Sequence, residues 1–289
     1  MLEFLIKPRK AERKPVEMLL IGFFYAIISV LLATFLFYKS AALESYSSVF
    51  VVTFTTMLSL PFMYYLIRLE EKKEDKIKEE KILIKEHGKA LTAMLFLFLG
   101  YILAFSLAFI LMPQDMIHAN FQAQLDSYCS INAGDLKNCA QITGHTIGLD
   151  FKSRLNAFSS ILSNNFFVML TILLFSFVFG AGAIFILAWN ASVIGVAMGL
   201  FAKGSLANMP LSLLRYLIHG IPEIAAYFVT ALAGGIISVS IIRHKLGKKA
   251  FWHTVQDSLD LIIVALIILI LAAIIEVFFT PWMMSFFKI

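Results

Sequence analysis

Charge is scarce in this chain. Only 15% of its 289 residues are Asp, Glu, Lys or Arg, while 60% are hydrophobic and 28 are phenylalanine. The mean hydropathy is +0.85. This excludes a water-soluble domain, which needs far more polar surface, and apolar runs of about 20 residues instead mark membrane-spanning helices. The alternating ten-residue segments of a membrane barrel are missing, because the apolar stretches are continuous. No long Gly, Pro or Ser linker divides the chain, so a single bundle is expected. Enzyme motifs are missing too: no His-Glu-x-x-His pair, no Gly-x-Ser-x-Gly elbow and no phosphate-binding glycine loop followed by Lys-Ser or Lys-Thr. The expectation is a non-enzyme with no metal, cofactor or nucleic-acid partner, whose first partner is the lipid bilayer.

What is present reads as an all-α, polytopic transmembrane bundle of about seven spans. The apolar segments are 19–38, 49–67, 91–112, 166–189, a short fifth at 191–202, 221–242 and 261–279. The first resembles a signal peptide, with Ala41-Ala42 as a small-residue site, but its core is too long and too far from Met1. Orientation follows from the basic residues. With the N-terminus inside, segments 1–17, 68–90 and 243–249 hold 5, 8 and 4 of the 24 Lys and Arg, leaving seven outside. A re-entrant fifth segment would place "RHKLGKK" outside against this bias, so a short crossing is expected. The chain then divides into a basic N-terminus with a transmembrane hairpin (1–67), a charged cytoplasmic helix (68–90) and a membrane domain (91–289) with an outer loop at 113–165. It would lie in the cell membrane with its C-terminus outside.

The segment 68–89 mixes seven acids with eight bases. It reads as a solvated helix extending two spans and carrying pairs such as Glu74 with Lys78. The N-terminal Lys7, Arg9, Lys10, Arg13 and Lys14 suit anionic headgroups, or serve orientation alone. The outer loop carries both cysteines, Cys129 and Cys139. Ten residues apart on the non-cytoplasmic side, they suggest a disulfide. Free thiols stay open, as does a metal site with His118 and His145, although the spacing matches no zinc pattern. The sequon Asn190-Ala-Ser falls at an inner membrane boundary, which makes glycosylation unexpected.

Small residues recur every four positions: Ala191, Gly195 and Gly199 on the fifth segment, Ala231 and Gly235 on the sixth. Such faces bring helices together, within the bundle or between subunits of a homo-oligomer. "FGAGA" (179–183) thins the fourth segment. Polar residues collect elsewhere. Pro222 suits the first turn of a helix, where Glu223 would meet the positive end of the helix dipole. Counting crossings brings His219, Glu223, Glu276, Arg215, Asn164 and Asn165 to the outer face, with Asn190 and Asp260 the comparable inner positions. Intramembrane ionisable residues usually face the bundle interior and pair. Three readings are open: a capped helix end, a structural knot in which Glu223 pairs with His219 or Arg215 beside Glu276, and a transport or ligand site.

Four blocks, "SNNFFVML", "WNASVIGVAMG", "HGIPEIAAYFVTALAGG" and "DLIIVALIILILAAIIEVFFTP", resemble in order and spacing the stage II sporulation protein M family. The resemblance covers about residues 160–281 and leaves the N-terminal hairpin outside as an addition. It implies a non-enzymatic scaffold that recruits protein partners at the outer face for envelope or membrane remodelling. The alternative is a transporter or channel for a small solute, a proton or a lipid, using the polar residues at the outer ends of the last four spans. Inverted repeats, common in transporters, are not evident.

Overall fold

The computed structural model describes residues 8–40, 42–74, 80–132, 151–179, 182–204, 209–242 and 249–285. Lipid offers a backbone no hydrogen-bond partners, so a lone spanning segment satisfies itself only as a helix. The chain forms α1 (Pro8–Arg13), α2 (Pro15–Phe37), a 3-10 turn (Glu44–Tyr46), α3 (Ser47–Glu74), α4 (Glu80–Leu111) and α5 (Gln114–Asn132). It continues with α6 (Phe151–Phe179), α7 (Ala183–Gly204), α8 (Met209–Ile242), α9 (Lys249–Ile274), a π turn (Ile275–Phe279) and α10 (Thr280–Ser285). No strand occurs among the described residues. Among the described residues, seven helices are long and apolar enough to cross a membrane. The protein is a multi-pass, all-α membrane protein.

α4 is the central helix, packed on α2, α7 and α8. It crosses α2 in backbone contact. A Cβ added to Gly22 would lie 2.1 Å from the Leu97 carbonyl oxygen, and one on Gly100 would lie 2.2 Å from that of Leu19. Helices in lipid gain little from hydrophobicity, so such close approach supplies the attraction. Further along α4, the buried Tyr101 hydroxyl shares a hydrogen bond with Ser59 of α3, and Phe98 meets Phe228 of α8 edge-on at 5.6 Å.

Pro113 cannot continue α4, and the chain turns back into α5. Its apolar face packs inward: Phe121 stands edge-on to Phe105 and Phe109 of α4, at 6.4 and 5.9 Å. Two buried amides secure it. Asn120 accepts from the Ser47 hydroxyl at 2.7 Å and donates to the Thr34 hydroxyl at 2.9 Å. Gln124 donates to the Ser48 carbonyl at 3.0 Å. One end of the bundle thus carries α5, and the other carries α1.

Three boundaries differ from those read in the sequence. The fourth and fifth crossings separate at Gly182, not at Asn190, so α7 has 22 residues and is no short span. Glycine is costly inside a helix and easy in a turn, and Gly182 of "FGAGA" stands in the turn just before α7 instead of thinning a helix. Asn190 is accommodated inside α7 because its Nδ2 donates to the Ile186 carbonyl at 2.8 Å. It therefore does not stand at a membrane boundary.

The second difference is α8, which begins at Met209 and encloses Pro222. Pro210 takes the early-helix position that suits proline, while Pro222 leaves the Ile218 carbonyl without its usual donor. Glu223 is accordingly no helix cap. Third, the stretch 113–165 is largely helical, formed by α5 and the first turns of α6. Its apolar positions lie too far apart along the chain for a hydropathy reading to register.

Candidate functional site

The polar residues of α8 lie around its internal proline. The Tyr227 hydroxyl donates to Glu223 Oε1 at 2.8 Å, one turn apart on the same helix. From α6, the Asn165 side chain hydrogen-bonds the same carboxylate, and Asn164 Nδ2 donates to Asn165 Oδ1 at 3.1 Å. His219, one turn before Glu223, places Nε2 4.0 Å from Oε1 of Glu276. Glu276 also acts electrostatically on Tyr227. Three elements therefore converge: α6, α8 and the π turn.

The π turn has an identifiable cause. Pro281 lacks the N–H needed to continue an α-helix, and the backbone N–H of Thr280 reaches Ile275 instead. The Thr280 hydroxyl adds a second bond to the same carbonyl, at 3.0 Å. The widened turn carries Glu276 beside α6 and α8.

The residues expected together from sequence mostly are together, but the pairing differs. Glu223 binds Tyr227 and Asn165, while His219 goes to Glu276. Tyr227 was missed, although its i,i+4 spacing from Glu223 was available as a signal. Arg215 lies on α8, with its side chain outside the described residues. At 4.0 Å, and with 31% of the Glu276 side chain exposed, the His219–Glu276 pair is a weak one. No group of three or more His, Cys, Asp or Glu able to hold a metal occurs among the described residues.

The small-residue faces pack inside the bundle. Cβ positions built on Gly195 and Gly199 come within 2.7 Å of Phe105 and Phe109 of α4, and one on Gly235 comes within 2.8 Å of Ile67 of α3. Ala191 and Ala231 are buried beside them, and the Ala231 carbonyl accepts from Ser176 of α6 at 2.9 Å. Asp260 is exposed on α9. Cys129 is buried on α5, where it packs with Tyr128 against Ala197 of α7. Cys139 and His145 lie outside the described residues, as does Lys78 of the expected pair with Glu74. His118 is exposed and bonds Gln122 at 2.8 Å. An open, mainly apolar groove of about 350 Å³ separates α6 from α9, lined by Phe158, Leu162, Phe166, Leu266 and Ile270.

A second polar cluster, at the α1 end, was not expected. Glu70 and Glu71 of α3 and His87 of α4 are buried, contrary to the solvated character read for 68–90. Lys73 Nζ lies 2.7 Å from Glu12 of α1, 2.8 Å from Glu70 and 3.3 Å from Glu86 of α4. His87 Nδ1 lies 2.9 Å from the other oxygen of Glu70. The pairs described within 68–90, Glu70 with Lys73 and Glu86 with Lys89, are spaced i,i+3 and not the i,i+4 read from sequence, and that α1 would close over them was not legible.

Three comparisons bear on identity. An uncharacterised protein of Methanocaldococcus jannaschii is 38% identical over 129 residues, 43% of this chain and 71% of that protein. No solved structure matches the chain. The family description Stage II sporulation protein M matches residues 18–281. That range takes in α2 and α3, so the N-terminal hairpin is no addition outside the pattern. The chain belongs to the Stage II sporulation protein M family.

Proposed function

We propose that the protein is a non-enzymatic membrane scaffold that recruits a protein partner at the outer face, with the α1 end in the cytoplasm. The observation that carries this reading is the closure of the α8 cluster on itself. Glu223 takes its hydrogen bonds from Tyr227 and Asn165, and His219 faces Glu276. These bonds tie α6 to α8 at the Glu223 carboxylate, with the π turn only loosely attached through Glu276, and a carboxylate occupied in this way supports a surface more readily than a pathway. α5 supplies that surface, with an apolar face inward and Asp115, His118 and Asp126 exposed. A disulfide between Cys129 and Cys139 would tie down its C-terminal end. The 17 of 24 basic residues in segments 1–17, 68–90 and 243–249 set the orientation.

A transporter is the second reading, favoured by one observation. The π turn breaks the helical run after α9 beside Glu276, and Pro222 removes a backbone bond within α8 beside Glu223; broken helices are a recurring feature of transport sites. Reconstitution in liposomes separates the two. The scaffold reading expects proteoliposomes to dissipate a pH gradient no faster than lipid alone. A proton flux abolished by Glu223→Gln would transfer the assignment to transport. Cysteines introduced at Lys245 and Ser285 should label from opposite sides of the membrane, and labelling from one side would overturn the orientation.

A further inference from the structure

The groove between α6 and α9 lies at membrane depth, for its walls belong to two of the spans. α6 is the least buried of the seven spans among the described residues, so this side of the bundle meets hydrocarbon. A gap in an apolar wall forfeits dispersion contacts until something fills it. A second copy of the chain is too thick to enter, since a helix with its side chains is about 10–12 Å across. At about 350 Å³ the groove stands at the small end of ligand sites, with room for a single hydrocarbon chain. Toward the α5 end of the bundle it becomes polar. Ser159 and Ser163 line its α6 wall, and both are exposed. Lys152, exposed in the first turn of α6, precedes them on the same face: both serines lie within about 20° of its direction around the helix. Along α6, Lys152 stands roughly 15 Å from Leu162, and along the opposite wall Trp282 stands roughly 18 Å from Ile270. Phe279 and Trp282 are exposed, with rings 5.5 Å apart, as suits aromatic residues at the headgroup level. Lysine and tryptophan therefore mark one headgroup level on the two walls.

We propose that this groove binds a phospholipid of net negative charge, with one acyl chain between α6 and α9 and the phosphate at Lys152. The order of chemistry along α6 is ammonium, hydroxyl, then hydrocarbon, which matches phosphate, ester and acyl chain. The first turn of α6 adds the positive end of the helix dipole, which favours a phosphate. The serine hydroxyls can donate to the ester carbonyls, which only accept. A zwitterionic lipid brings its own ammonium, which competes with Lys152 for the phosphate, whereas a net anionic lipid does not. Arg154 is no substitute for Lys152: it lies about 160° away around α6 and is already engaged elsewhere. The site belongs to the leaflet on the α5 side and holds for either orientation of the chain.

The test uses the full chain in phosphatidylcholine nanodiscs containing a small fraction of phosphatidylglycerol whose acyl chain carries a photoactivatable diazirine. After illumination, mass spectrometry locates the labelled residues. Segments 158–166 and 266–270 should carry several times the label of Leu31, Leu32 and Phe35, which are exposed on α2 in the same leaflet. The same probe built on phosphatidylcholine should label the groove about fivefold less, the discrimination that one interfacial lysine supplies. Lys152→Gln should erase the difference between the two probes. Arg154→Gln, which removes an equal charge from the same helix, should preserve it. Label spread evenly over α2 and α6 overturns the site, since it marks bulk lipid alone. A groove unlabelled by either probe does so too, because a segment of protein then fills it. So does a preference that survives Lys152→Gln, or one lost equally with Arg154→Gln.

Discussion

The two ends of the bundle handle buried charge in opposite ways. At the α1 end, one lysine holds three carboxylates at 2.7 to 3.3 Å, so full charges face one another across three helices. At the other, Glu223 is met by neutral donors, a hydroxyl and an amide, and His219, a basic group one turn away, stands 4.0 Å from a different carboxylate. The first arrangement depends on every partner being present. The second spreads its dependence over weak bonds. Ionic networks suit a contact that must be made or broken as a unit, whereas dipolar ones suit a contact that holds regardless of conditions.

Substitutions can break this contrast. Lys73→Met should have the largest effect, about 3–5 kcal/mol of lost stability, because it leaves uncompensated carboxylates in a buried network. Thermal unfolding in detergent measures it, and a loss comparable to that of Tyr227→Phe would remove the distinction between the ends. Tyr227→Phe withdraws one donor from the Glu223 carboxylate and should cost about 1–3 kcal/mol by the same assay. Glu276→Gln, at a long and partly exposed pair, should cost at most about 1 kcal/mol.

The smallest expected effect is on the pH profile of unfolding. Wild type should lose a little stability as pH rises through about 7, the value to which the Glu12 carboxyl is pushed. Glu12→Gln should lose none over the same interval. A profile that instead rises with pH would reverse the sign assigned to Glu12.

The number of crossings, the helical class and the α8 cluster were legible in the sequence. Apolar runs and basic flanks are summed over many residues, and a Glu amid "IPEIAAYF" stands out against its background. Single-residue features were harder. A proline announces a helix start as often as a kink, and only the chain upstream of it, beginning at Pro210, decides which applies to Pro222. A polar side chain can end a helix or bond back within it, and Asn190 does the second. The cluster at the α1 end was hidden for a different reason. In 68–90 the charge density reads as exposure, yet six residues of α1, distant in sequence, lay a cover over it. Gly22 and Gly100 went unremarked because their partners lie on other helices, and the recurring faces at Gly195 and Gly235 were more conspicuous.

The glycine crossing of α2 and α4 has a mechanical side. With no clearance between the two backbones at Gly22 and Gly100, neither rod can roll or slide there without separating from the other. The crossing is a fulcrum, and it is off-centre. At 1.5 Å per residue, α4 extends roughly 30 Å from Gly100 toward Glu80 and roughly 17 Å toward Leu111. Glu86 and His87 sit on the long arm, and Phe105 and Phe109, against which Phe121 of α5 rests, sit on the short one. A tilt begun at the long arm would arrive under α5 reduced by about half in travel and correspondingly increased in force.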